Sequence, residues 1–224
     1  MKPPRDRRPH APQLPAHLQP ITVVALTDEA EFLASSLSGC DYSGQSAKNM
    51  VLQQTLLQRV ILGRTRLPRI RLTDVRMEGI DLSGADWEKA RCHRVEFTGC
   101  RLVGLQLTDI RATDILMRDC NLEGAIVGAG VFRSARFENC RMGRSVFERA
   151  DLRGTVFAGC DLTDADLSGS ALSGVDFRGS VIEGLRAGTH DLRGVVVDPL
   201  QTLQIAALFG ITVREVDDGS YAIH

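Results

Sequence analysis

The chain has 224 residues, 43% hydrophobic and 25% charged, with a formal net charge of −1. That is enough sequence for one domain with a buried core, and so small a charge does not by itself announce a nucleic-acid or membrane partner. No apolar run approaches the roughly 20 residues of a membrane-spanning helix and the basic N-terminus lacks the apolar stretch of a secretion signal, so the expected compartment is the cytoplasm.

Residues 1–20 carry six of the eight prolines together with Lys2, Arg5, Arg7 and Arg8. Such a stretch predicts an extended, poorly ordered tail. Ile21-Thr22-Val23-Val24-Ala25-Leu26 reads as a strand, and Thr27-Asp28-Glu29-Ala30-Glu31 as a helix start with Thr27 as N-cap. Residues 21–39 are thereby expected to cover the open edge of the segment that begins at Cys40.

From Cys40 to about Val197 the sequence repeats every five residues without insertion or deletion. The blocks Ala150-Asp151-Leu152-Arg153-Gly154 and Ala165-Asp166-Leu167-Ser168-Gly169 show the pattern. The third position is large and apolar (Leu72, Met77, Leu82, Trp87, Phe132, Phe147), and the first is small or β-branched (Val75, Ile80, Ala85, Ala90). A period of five is neither helical nor that of a flat strand. It is the signature of a repeat architecture.

The motif A(D/N)LxG in this unbroken register resembles the pentapeptide-repeat family. That resemblance implies an all-β fold: a right-handed quadrilateral β-helix, one pentapeptide per side and four per turn, here about eight coils over residues 40–197. Sites twenty apart should then stack, and they match in kind. Cys100, Cys120, Cys140 and Cys160 fall on one inward column, and Phe97, Phe137, Phe157 and Phe177 on another. Coils about 4.8 Å apart give a rod roughly 38 Å long. Ala112, Val127 and Gly130 are small for inward sites, which leaves either a thinner core or a bent coil there.

Asp198-Pro199-Leu200-Gln201 supplies an N-cap, a proline at the first helical position and a glutamine three residues after the cap. A helix should run to Phe209 with Gly210 as its stop, followed by a short strand at Ile211-Thr212-Val213 within the terminal segment 198–224. The helix is apolar nearly all round, which calls for burial on more than one side. This ending resembles that of the mycobacterial and Qnr-like fluoroquinolone-resistance members of the family. The resemblance implies a homodimer through Leu200, Leu203, Ala207 and Leu208; the alternative is a helix that only caps its own solenoid.

No metalloprotease, phosphate-loop, nucleophile-elbow or paired-cysteine motif occurs. Catalytic, cofactor and metal residues are expected to be none, and the chain is not expected to be an enzyme. The cysteines read as reduced apolar filler, and His190 as an inward, satisfied histidine under the C-terminal cap. Arg71, Arg91 and Arg111, twenty apart, should stack as a basic row with Arg94 and His93 beside them. Like charges on adjacent strands repel, so three in a row hint at a use, with phosphate or an acidic protein patch as candidates, although the bland reading, a set of stray arginines screened by Asp74 and Asp114, stands ahead of it.

Two functions remain open. One is a non-catalytic scaffold for an unidentified protein partner, with Leu116, Ile126, Val131, Val146 and Val156 as outward apolar spots. The other, implied by the resemblance, is DNA mimicry toward DNA gyrase or another type II topoisomerase. A 38 Å mimic would want on the order of twenty unneutralised acidic charges, whereas only the stretch from Asp151 to Asp198 is clearly acidic. Neither membrane binding nor direct nucleic-acid binding is expected.

Overall fold

The computed structural model describes residues 8–214. Lys2, Arg5 and Arg7 of the basic N-terminus, and residues 215–224, lie outside that range. The elements are strands β1 (Gln19–Pro20), β2 (Glu31–Leu33), β3 (Ser35–Ser38), β4 (Val51–Gln58), β5 (Arg71–Glu78), β6 (Arg91–Thr98), β7 (Arg111–Arg118), β8 (Val131–Glu138) and β9 (Val156–Ala158), then helix α1 (Pro199–Leu208).

Each pentapeptide folds as it does because its positions divide the work. First and third residues point inward: Val75, Ala85, Leu82 and Leu162 are fully buried. The fifth residue takes a left-handed backbone, which turns the chain toward the next side. Within the solenoid every residue recorded with positive φ sits there, from Asn49 (58°) and Asp74 (56°) to Gly84 (64°) and Asp164 (57°). Asn, Asp and Gly accept that conformation most readily. At Gly84 it closes a turn in which Ala85 N–H donates to Leu82 O at 3.0 Å, the positive φ falling on the third turn residue as a type II turn requires.

All strand pairs are parallel, and from β2 onward every partner stands twenty residues along, while β1 pairs with β3 at sixteen. The column through Ser36, Leu56, Arg76, Glu96, Leu116, Arg136, Val156, Asp176 and Val196 is unbroken. Four pentapeptides per turn make a four-sided parallel β-solenoid. β4 to β8 run over two adjacent sides, bent at the left-handed residue, while the other two sides hold turns joined by single bridges.

The core is a stack of like on like. Phe137 and Phe157 rings lie 5.0 Å apart and 11° from parallel, Phe157 and Phe177 5.4 Å and 10°. Phe97 belongs to the same column, with Met117 between it and Phe137. The cysteines are free thiols and do more than fill space. Cys100, Cys120, Cys140 and Cys160 donate Sγ–H to the carbonyls of Met77, Phe97, Met117 and Phe137 at 3.4–3.6 Å, and Ser180 donates to Phe157 O in the same way. On another side, burial pushes the Cys92 thiol up to about 12. The interior is not thin at Gly130: a Cβ there would meet Val127 Cγ1 at 2.7 Å and Ile110 Cγ2 at 2.9 Å.

The ends depart from the sequence expectation. No helix starts at Thr27. Glu29 and Ala34 are left-handed (61° and 48°), and β2 and β3 pair with β4, so this segment is already part of the winding. The strand expected over Ile21–Leu26 is displaced to Gln19–Pro20, which pairs with Ser35 and Ser36. Beyond Ile21, side chains hold the backbone instead: Tyr42 donates to Val23 O, and Leu26 N–H donates to Gln45 Oε1. His190 is exposed, not inward, because Gly188–Asp191 folds into a local turn fixed by Asp191 Oδ2 accepting from the Gly188 and Gly169 amides. Ile211–Val213 forms no strand and lies exposed.

α1 has the expected start and stop. Asp198 caps it with Gln201 completing a capping box, and Gly210 (69°) ends it, with Gly210 and Ile211 amides returning to Ala207 and Ala206 carbonyls. Gln201 also has a task the sequence does not disclose. Buried, it donates Nε2–H to Phe177 O (2.6 Å) and Ser180 O (2.7 Å) of the last coil.

Candidate interaction surfaces

Outward side chains inherit the twenty-residue register, so the surface is ruled into straight rows. Several charged rows set opposite signs on successive coils. Arg76 pairs with Glu96, Arg118 with Glu138, Arg66 with Asp86 and Arg186 with Asp166, each across one coil. Arg133 and Arg153 both clasp Asp151, whose carboxyl they hold well below its usual range.

One row carries three like charges in succession. Arg71, Arg91 and Arg111 are in direct register on β5, β6 and β7, and all three are exposed. Arg69 and Lys89 stand at the preceding corner, and with Asn49 and Asp109 they line a shallow groove of about 620 Å³. Arg111 donates to the Ala129 carbonyl, and Lys89 meets Glu88. Among the described residues no carboxylate within ion-pair distance is recorded for Arg71 or Arg91. Asp74 and Asp114 do not screen this row, because both are engaged elsewhere.

Arg94 does not join the row. Its guanidinium lies on Asp74, Nε to Oδ1 2.5 Å and Nη2 to Oδ2 2.6 Å, and its Nη1 reaches His93 at 2.7 Å. Asp74 is held below its usual range by that guanidinium and is only 4% exposed. What covers it is the N-terminal segment, expected to be a loose tail. Gln13 N–H donates to Asp74 Oδ1 at 2.8 Å, and His10 N–H to Asp114 Oδ1 at 3.1 Å. The segment therefore runs as a strap across three coils, down the corner column Asp114–Arg94–Asp74. Pro12 is buried and Pro9, Pro15 and Leu18 are partly covered, whereas Ala11, Gln13 and Ala16 are exposed. Proline at every third position suits a polyproline II chain, with three residues per turn. That spacing is the signal in the sequence.

The outward apolar residues do not merge. Ile126 and Val146 are neighbours on one side, Val131 lies on a second, and Leu116 and Val156 on a third are separated by Arg136. On α1, Leu200 (82% exposed), Leu203 (54%) and Ala207 face outward, as a dimer contact would need. Leu208 does not: with Ile205 it packs against the solenoid core, on the face that carries Gln201.

The model of the pentapeptide repeat region matches residues 90–167, the coils on which the register is cleanest. Across those residues the chain carries a pentapeptide repeat region. Among solved structures, the chain is similar to HetL of the cyanobacterium Nostoc sp. strain PCC 7120, a protein involved in heterocyst differentiation regulation (18% identity over 76% of this chain and 90% of that one, TM-score 0.45). It is also similar to trypsin-treated QnrB1, a plasmid-mediated fluoroquinolone resistance protein (20% identity, 88% and 100%, TM-score 0.44). A third similarity is to the pectin methylesterase of Aspergillus niger (11% identity, 84% and 82%, TM-score 0.37). No curated protein matches the sequence. None of these similarities assigns a task to this chain.

Proposed function

We propose that the protein is a non-catalytic binding scaffold: a stiff four-sided rod that presents fixed rows of side chains to a protein partner. The observation that carries this reading is the register itself. Outward groups are held at coil spacing by a continuous parallel ladder, and several charged rows are compensated from one coil to the next while the row Arg71–Arg91–Arg111 is not. Immobilised wild-type protein and a variant with Arg71, Arg91 and Arg111 replaced by glutamine, both exposed to host lysate, test it. A protein retained on the wild type in molar proportion supports a scaffold; retention of nothing above an empty matrix removes it.

Homodimerisation through α1 belongs to the same reading, now on Leu200, Leu203 and Ala207. A helix with one face on its own core and a second apolar face in water has half its burial undone. Sedimentation at several concentrations, wild type against Leu203→Asp, decides: a monomer in both samples defeats the dimer.

DNA mimicry toward gyrase has less support. Asp151, Asp161, Asp166 and Asp176 stand one on each side of the rod, and Asp151, Asp166 and Asp176 are paired with arginines. A mimic needs its charge gathered along one direction. Supercoiling by DNA gyrase, with and without a quinolone, should be unchanged by micromolar protein.

A further inference from the structure

We infer that the groove over Arg71, Arg91 and Arg111 is the docking site for a short, extended acidic segment of the partner protein, two alternate carboxylates long with an apolar residue at either end. This deepens the scaffold reading and rests on it.

The whole row sets the length and composition of the ligand. In register it reads Glu31, Val51, Arg71, Arg91, Arg111, Val131, Asp151. Three cations are bracketed by a valine on each side and then by a carboxylate on each side. The cationic run spans two coil steps, about 10 Å. An extended peptide places alternate side chains roughly 6.6 Å apart, so two carboxylates fit over the run and the flanking alternate side chains, about 20 Å apart, fall on Val51 and Val131. Arg69 and Lys89 at the corner add two cations beside the row, so a carboxylate lying between the columns is met from both. Guanidinium forks take carboxylates in paired hydrogen bonds, and no ion-pair partner is recorded for Arg71 or Arg91 among the described residues.

A long polyanion fits poorly. A nucleic-acid strand continuing along the row would meet Glu31 at one end and Asp151 at the other. The groove residues Asn49, Arg69, Arg71, Lys89, Arg91, Asp109 and Arg111 include no aromatic ring on which bases could stack. The cost of holding three arginines in register, which one acid in the middle would relieve, is what a binding row would be expected to carry.

The test uses the full chain and three fluorescein-labelled probes: a decapeptide with two glutamates at alternate positions flanked by valines in the same alternation, its glutamine counterpart, and a short DNA duplex. Anisotropy at about 0.02 M NaCl should show binding of the glutamate peptide only, weakened by salt as the Debye length shrinks. Arg91→Gln should weaken it about threefold and Arg91→Glu about tenfold, while Arg64→Glu, at a different corner, leaves it unchanged; thermal melts confirm that each variant is folded. Equal binding of the glutamine peptide overturns the inference, as does binding that survives Arg91→Glu, or tighter binding of the duplex with the same dependence on Arg91. A lysate partner held equally by wild type and the arginine-to-glutamine variant would leave the scaffold standing and this site refuted.

Discussion

Arg94 grips Asp74 from one coil above with two hydrogen bonds, and the same carboxylate accepts the backbone amide of Gln13. One buried acid thus joins two coils and fastens the strap. Asp74→Asn keeps a side chain that tolerates the left-handed backbone but removes the charge. It should cost about 1–2 kcal/mol in denaturant titration and speed hydrogen exchange at the Gln13 amide.

The same pair sets a pH dependence. The Asp74 carboxyl is depressed below its ordinary 3.8 by Arg94, so its contribution is complete above that value and is lost as pH falls through the lowered folded value. The stability gap between wild type and Asp74→Asn should be constant near neutrality and close in acid. A gap that persists at about pH 2 would assign the effect to packing.

Arg91 stands between two like charges. Arg91→Glu turns repulsion on both sides into attraction and should raise Tm by about 1–3 °C. A fall in Tm would mean that the row is already compensated.

The thiol column should accept serine better than alanine. Ser180 already makes the bond to Phe157 O that Cys120 makes to Phe97 O. Cys120→Ser should stay within about 1 kcal/mol of wild type, whereas Cys120→Ala loses the donor and leaves a small void, costing more. Equal losses in chemical denaturation would return the thiols to the role of plain filler.

Backbone and packing make opposite demands at two adjacent residues. Ala129 is left-handed (52°), so Ala129→Gly should be neutral to stabilising by about 0.5 kcal/mol. Gly130 has no room for a Cβ, so Gly130→Ala should cost about 1–3 kcal/mol. Thermal unfolding of the two variants, read against each other, checks both.

The solenoid is legible because its period is a chemical one: Phe137 above Met117 and Arg91 above Arg71 are neighbours in space for the same reason that they are twenty apart in sequence. The acid–base–acid series Asp74, Arg94, Asp114 is equally open to that logic, yet grouping Arg94 with the exposed row overlooks the difference between side and corner positions. Elsewhere local composition misleads. Thr27-Asp28-Glu29-Ala30 satisfies a helix start, but the ladder to Lys48 and Val51 requires Glu29 to be left-handed. The strap is hidden because proline suggests looseness, while its spacing of three suggests docking. Gln201 reads naturally as part of its own helix, and only the position of α1 over the last coil reveals its second pair of bonds.

Those two bonds from Gln201 determine how long the assembly can grow. A parallel winding ends on a rim of carbonyls that would accept another chain's first coil as readily as its own next one, and at Phe177 and Ser180 the rim is occupied. A chain ending before Asp198 should therefore polymerise end to end, forming filaments visible by electron microscopy. With Gln201 in place, both carbonyls are closed to a second chain.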